Sequence, residues 1–86
     1  MEIEFTATAA ADLAHWKKSG NTSVLKKIRQ LLESILESPF TRIGKPESLK
    51  FNLNGYWSRR ITKADRLIYE VAAQKVIVHS LRGHYD

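Results

Sequence analysis

The chain contains no cysteine. Disulfides and thiolate metal sites are therefore excluded, which fits a reducing compartment. It has only two prolines and four glycines, and no stretch of them forms a linker, repeat or low-complexity tract. No apolar run approaches the roughly 18 residues of a membrane span. The start, MEIEFTATAAA, is acidic and has no basic n-region or apolar h-region, so it does not read as a signal peptide. There is no glycine-rich phosphate loop and no nucleophile elbow. The three histidines, His15, His79 and His84, lack metal-ligand spacing. Neither metal nor other cofactor is expected. These absences leave a soluble, cytoplasmic, non-membrane protein of 86 residues, one domain spanning 1–86 with one small core.

What the chain does have is positive charge, concentrated in one segment. Residues 42–66 hold seven bases (Arg42, Lys45, Lys50, Arg59, Arg60, Lys63, Arg66) and two acids (Glu47, Asp65). That excess of five equals the net charge of the whole protein, +5. The rest is balanced. A local basic field predicts a phosphate-bearing partner, and a carboxylate inside it, Glu47, predicts chemistry as well as binding.

The periodicity predicts an α+β fold in the order β-α-α-β-β-β-β. Glu2 to Thr6 alternates as a strand, with Ile3 and Phe5 on one side. Thr8 caps a first helix with inner face Ala9, Leu13 and Trp16, and Gly20 ends it. Asn21, Thr22 and Ser23 offer caps for a second helix. Its apolar positions are Val24, Leu25, Ile28, Leu31, Leu32, Ile35 and Leu36, and Pro39 stops it. A loop runs from Phe40 to Glu47. Leu49 to Leu53 reads as a strand, Asn54-Gly55 as a hairpin turn and Tyr56 to Ile61 as the return strand. Arg66 to Ala72 and Val76 to Arg82 are the last two strands, joined at Ala73-Gln74. The helices should pack on one face of a mainly antiparallel sheet. Leu67, Tyr69 and Val71 then face the helices, while Arg66, Ile68 and Glu70 face away. Arg60 joins the open face with Tyr56 and Ser58, and Arg59 snorkels to an edge.

Cleaving RNA without a metal needs a base for the 2′-hydroxyl, an acid for the leaving 5′-oxygen, and cations for the charged phosphorane. Glu47 is a candidate base. His84, with a reference pKa near 6.5, is a candidate acid. Arg66 and Arg60, with Lys50 or Lys45, are a candidate cationic clamp, and Tyr85 could stack on a base. Each has a plainer reading: Glu47 as a solvated loop carboxylate, His84 as a frayed terminal residue, Arg59-Arg60 as a solvated strand edge. His79 has no assigned role. On residue types alone, a basic RNA- or protein-binding domain is as consistent as a nuclease.

The run KPESLKFNLNGYWSRRITKADRLIYEV with the ending LRGHYD resembles the YoeB family of bacterial toxins, within the RelE-like superfamily of messenger-RNA interferases. The resemblance covers nearly the whole chain. It implies a microbial-ribonuclease-like fold and a toxin of a type II toxin–antitoxin pair that cuts messenger RNA in the ribosomal decoding site. It also implies a YefM-like antitoxin whose C-terminal arm covers the basic face, and a toxin homodimer. Carried over by position, it makes Glu47 the general base, Arg66 the phosphate-stabilising arginine, His84 the general acid and Tyr85 the aromatic that follows it. Lys50 and Arg60 match accessory basic positions, and Lys45 and Arg59 join them as candidate RNA-binding residues. The departure is Asp86, a carboxylate beside the proposed acid. The alternatives are a non-catalytic ParE-like inhibitor of gyrase and an inactive antitoxin-binding co-repressor.

Overall fold

The computed structural model describes residues 1–83. Its elements are β1 (Glu2–Phe5), α1 (Ala7–Ser19), α2 (Thr22–Glu37), β2 (Glu47–Ser48), a 3-10 turn (Phe51–Leu53), β3 (Trp57–Arg60), β4 (Arg66–Ala72) and β5 (Lys75–Ser80). The five strands form one sheet in the order β1-β5-β4-β3-β2. β2 to β5 is an antiparallel meander, and β1 lies parallel to β5. The expected α+β architecture and element order hold.

Local chemistry explains the boundaries. Thr6, not Thr8, caps α1: its Oγ1 accepts from Ala9 N at 3.2 Å. Thr6 N–H meanwhile still donates to Val78 O, extending the β1–β5 pairing. Gly20 ends α1 at φ 71°, the left-handed position that glycine adopts without a Cβ penalty. Asn21 Oδ1 accepts from Val24 N at 3.1 Å and starts α2.

The expected strand over Leu49–Leu53 is not formed; β2 is only Glu47–Ser48. Leu53 N donates to Lys50 O and Tyr56 N donates to Leu53 O, so two successive tight turns take the backbone groups that a ladder would have used. A two-residue type I′ hairpin needs positive φ at both central residues. Gly55 has φ 95°, but Asn54 does not join it. At Ala73-Gln74 the expected turn forms, with φ 51° and 62°, so two non-glycine residues adopt the left-handed geometry there. β5 ends at Ser80 rather than Arg82.

The core lies between the helices and one sheet face. Ala9, Val24, Ile28, Leu31 and Ile35 meet Ile61, Leu67, Tyr69, Val76, Val78 and Leu81. Leu67 and Tyr69 thus face the helices as expected. On β5 the inward set proves to be Val76 and Val78. Ile68 points the other way yet is buried too, as is Leu49, and neither belongs to this cluster.

Arg59 corrects its sequence assignment. It does not snorkel to an edge; it is fully buried. Its Nη1 donates to Ser34 Oγ (2.8 Å) and Ile43 O (2.9 Å) and its Nη2 to Ser38 O (2.7 Å). Its Nε donates to Tyr69 Oη (3.2 Å), and Tyr69 in turn donates to Pro39 O. The guanidinium therefore meets the carboxyl end of α2, where the helix dipole favours a cation. It also ties down the loop that follows. Burial pushes the Tyr69 phenol above its ordinary value, and the neighbouring Arg59 partly opposes that.

Candidate active site

Gly44 lets the loop after α2 lie against β3. Its φ is 82°, and a Cβ there would come within 2.6 Å of Leu31 Cδ2 and 3.0 Å of Arg59 Cβ. Arg60 N donates to Gly44 O at 2.8 Å. Three residues later the same segment pairs formally with β3 and sets Glu47 opposite Ser58. Ser58 in turn stands opposite Ile68, and Arg60 opposite Arg66. Cross-strand partners share a face and residues alternate along a strand. Glu47, Ser58, Arg60 and Arg66 therefore lie together on the face away from the helices. Arg66 Nη1 donates to Ser58 Oγ at 2.8 Å, which fixes the guanidinium over the sheet. Ser58 is fully buried and Arg66 half-buried, while Glu47 and Arg60 are exposed.

Lys45 is exposed and joins Lys27 and Arg60 in lining a shallow groove of about 250 Å³. Lys50 is exposed in the turn after Glu47. Arg59 cannot contact RNA from the core. His84 and Tyr85, with Asp86, lie outside the described residues. The segment leading to them is nevertheless well anchored. Asp65 Oδ1 accepts from Gly83 N at 2.8 Å, and Asp65 Oδ2 accepts from the Thr62 hydroxyl at 2.8 Å. Arg66 N donates to Gly83 O at 2.8 Å. Upstream, Trp16 Nε1 donates to Leu81 O and Asp12 accepts from Leu81 N. Both backbone groups of Gly83 are thus bonded beside Arg66, one residue before His84 in sequence. Sequence reasoning missed these roles of Ser58 and Asp65. The Thr62-x-x-Asp65 spacing, a local side-chain-to-backbone turn pattern, was the available signal for Asp65.

Among the described residues no three His, Cys, Asp or Glu side chains converge as metal ligands, and no helix is long and apolar enough to cross a membrane.

Residues 5–85 match the family described as the YoeB-like toxin of bacterial type II toxin-antitoxin systems. The chain belongs to that family. The YoeB toxin of Synechocystis is 44% identical over 100% of this chain and 99% of its own length. A solved YoeB/ParE toxin from Agrobacterium tumefaciens superposes with a TM-score of 0.96 at 36% identity, covering 99% of this chain and 100% of that one. Staphylococcus aureus YoeB has been solved as a dimer (TM-score 0.90, 38% identity) and in complex with YefM (TM-score 0.89, 40% identity). Each comparison covers 99% of this chain and 98% of the other. This chain thus spans 98–100% of the length of each of these relatives.

Proposed function

We propose that this YoeB-family toxin is a ribosome-dependent endoribonuclease that cuts messenger RNA in the decoding site and so stops translation. The observation that carries the reading is the placement of Glu47 opposite Ser58, whose hydroxyl holds Arg66, so that an exposed carboxylate and a serine-held guanidinium share one sheet face. Glu47 takes the proton from the ribose 2′-hydroxyl. The 2′-oxygen attacks its own phosphate, and the bond to the 5′-oxygen breaks. Arg66, assisted by Arg60, Lys45 and Lys50, stabilises the added negative charge on the phosphorane. His84 returns a proton to the leaving 5′-oxygen. The products are a 2′,3′-cyclic phosphate and a 5′-hydroxyl. No step calls for a metal. Tyr85 stacks on a base. The ribosome supplies the alignment of the attacking oxygen, phosphorus and leaving oxygen, which a single exposed carboxylate does not enforce alone.

The partner is a YefM-type antitoxin, by analogy with the Staphylococcus aureus complex, and the toxin pairs with a second copy as in the dimer of that relative. A reaction on the ribosome places the protein in the cytoplasm.

The test is a primer-extension map of one defined message, with and without programmed ribosomes, using wild type and Glu47→Gln. The reading requires cuts in the decoding site with ribosomes, and a rate about 10²–10⁴-fold lower in the variant, as for loss of a general base. No cutting under any condition overturns it and leaves a non-catalytic role: a gyrase-inhibiting toxin, or a co-repressor partner of the antitoxin.

A further inference from the structure

The same sheet face carries a second constellation that the cleavage chemistry leaves unused. His79 sits where the β4–β5 register slips, between the pairs Ile68–Ser80 and Tyr69–Val78. Its Nε2 lies 2.8 Å from Glu70 Oε1. The Tyr56 ring stacks on the imidazole, with centroids 4.5 Å apart and planes 16° from parallel. The His79 and Glu70 side chains remain 26% and 27% exposed. None of the three belongs to the hydrophobic core. Among the described residues, His79 Nδ1 has no hydrogen-bond partner. A carboxylate thus fixes the plane of an imidazole, and a phenol ring lies flat upon it, in a place where the core gains nothing from either.

The position relative to Arg66 gives the arrangement its meaning. Tyr56 is two residues from Ser58, the residue that holds Arg66, or about 7 Å along the strand. Glu70 is four residues from Arg66 on the same face, roughly 13 Å away. A phosphate on Arg66 therefore has aromatic surface within the reach of a neighbouring nucleotide. Basic groups that track a backbone, interleaved with aromatic faces, are the combination that binds single-stranded nucleic acid.

We propose that Tyr56 and His79, oriented by Glu70, form a nucleobase subsite. It takes the unpaired base of a ribonucleotide next to the scissile phosphate, by stacking, with His79 Nδ1 placed to bond the base edge. The subsite rests on the endoribonuclease reading.

The experiment uses messages that differ only in the nucleotides flanking the cut, presented on programmed ribosomes, with kcat and KM measured separately. His79→Ala and Tyr56→Ala raise KM about fivefold or more, the equivalent of losing one base stack. They raise KM more than they lower kcat, and they flatten the dependence on the flanking base. His79→Phe, which restores a flat ring without the edge bond, recovers KM in part and leaves the dependence on the flanking base flat. Several outcomes overturn the proposal. The alanine variants could match wild type in KM and base dependence. His79→Phe could behave like His79→Ala with both unfolding earlier in urea, which would make the role structural. The variants could lose only antitoxin affinity while cleavage is unchanged, which would make the stack a protein contact. If wild type cuts nothing, the endoribonuclease reading itself falls, and the subsite with it. If wild type cuts and the variants match it, the subsite alone falls.

Discussion

Replacing Arg59 separates a structural arginine from a substrate-binding one. Four donor contacts converge from this side chain on Ser34, Ser38, Ile43 and Tyr69. In Arg59→Ala the hydroxyls of Ser34 and Tyr69 can reorient and Ser38 O keeps its bond from Thr41 N, but these acceptors and the Ile43 carbonyl all lose a charged donor. A hydrogen bond from a charged donor contributes about 1.5–3 kcal/mol net, and less at Ile43, which is 44% exposed. The vacated volume adds a cavity term. Loss of the ring contact, with the guanidinium carbon 5.8 Å from the Tyr69 centroid, adds a little more. The expected total is about 4 kcal/mol, a large share of the roughly 5–15 kcal/mol that holds a small domain together. Arg59→Lys keeps the charge but replaces a planar fork with one ammonium, which cannot reach acceptors on both sides. It should lose about 2 kcal/mol. Urea unfolding followed by far-ultraviolet circular dichroism reads this directly. With a slope of about 1–2 kcal/mol per molar, the midpoint should fall by roughly 2 M or more in Arg59→Ala and by about half as much in Arg59→Lys. An RNA-contacting arginine would behave in the opposite way: the midpoint would stay put, and lysine would rescue binding. A midpoint within ~0.3 M of wild type in Arg59→Ala would refute the reasoning.

Tyr69→Phe should leave Arg59 Nε and Pro39 O unpaired, costing about 1–3 kcal/mol in a urea titration at neutral pH. The Tyr69 phenol is raised in the folded state. Its contribution is therefore fully present below the unfolded phenol value and is lost as pH climbs through the folded one, so wild type should lose stability above about pH 10 more steeply than Tyr69→Phe. Gly44→Ala should destabilise by about 2 kcal/mol or more, through the 2.6 Å approach to Leu31 and the left-handed φ, and should slow cleavage by displacing Glu47. Ala73→Gly, at φ 51°, should stabilise by up to about 1 kcal/mol, because glycine carries no left-handed penalty. Asp65→Ala should release Gly83 and lower kcat on programmed ribosomes while the antitoxin still binds; an unchanged kcat would show that the anchor is dispensable.

The order of elements was readable because each helix carries its own punctuation: a capping threonine or asparagine, a helical stripe of Leu and Ile, a closing Gly20 or Pro39. The faces of β4 were readable because Leu67, Tyr69 and Val71 form the more apolar of its two period-2 sets, although Ile68 on the other face is buried as well. Three things were not. The Leu49–Leu53 segment alternates like a strand, but nothing local says that its backbone will close into tight turns instead. Arg59 and Arg60 are chemically identical neighbours, and only the position of the α2 terminus decides that one is swallowed and the other exposed. The pairing of Ser58 with Arg66, and of Tyr56 with His79, depends on strand register, which no single strand encodes. The candidate site was therefore legible as residue types and illegible as neighbours. The acid and aromatic assigned to His84 and Tyr85 lie outside the described residues and rest on the family pattern.

The parallel pairing of β1 with β5 has a consequence for the timing of synthesis. The first strand made bonds to the last one made, and Thr6 reaches Val78 and His79 at a sequence separation of more than seventy residues. Until residues 75–80 have left the ribosome, β1 has no neighbour and β4 lacks one of its two. Helix α1 then cannot anchor through Trp16 and Asp12 to Leu81. Non-local closure of this kind comes late in folding. An incomplete chain thus has the β2–β3–β4 meander without the two strands that complete the sheet beside it. An antitoxin already present has that interval in which to find the growing chain.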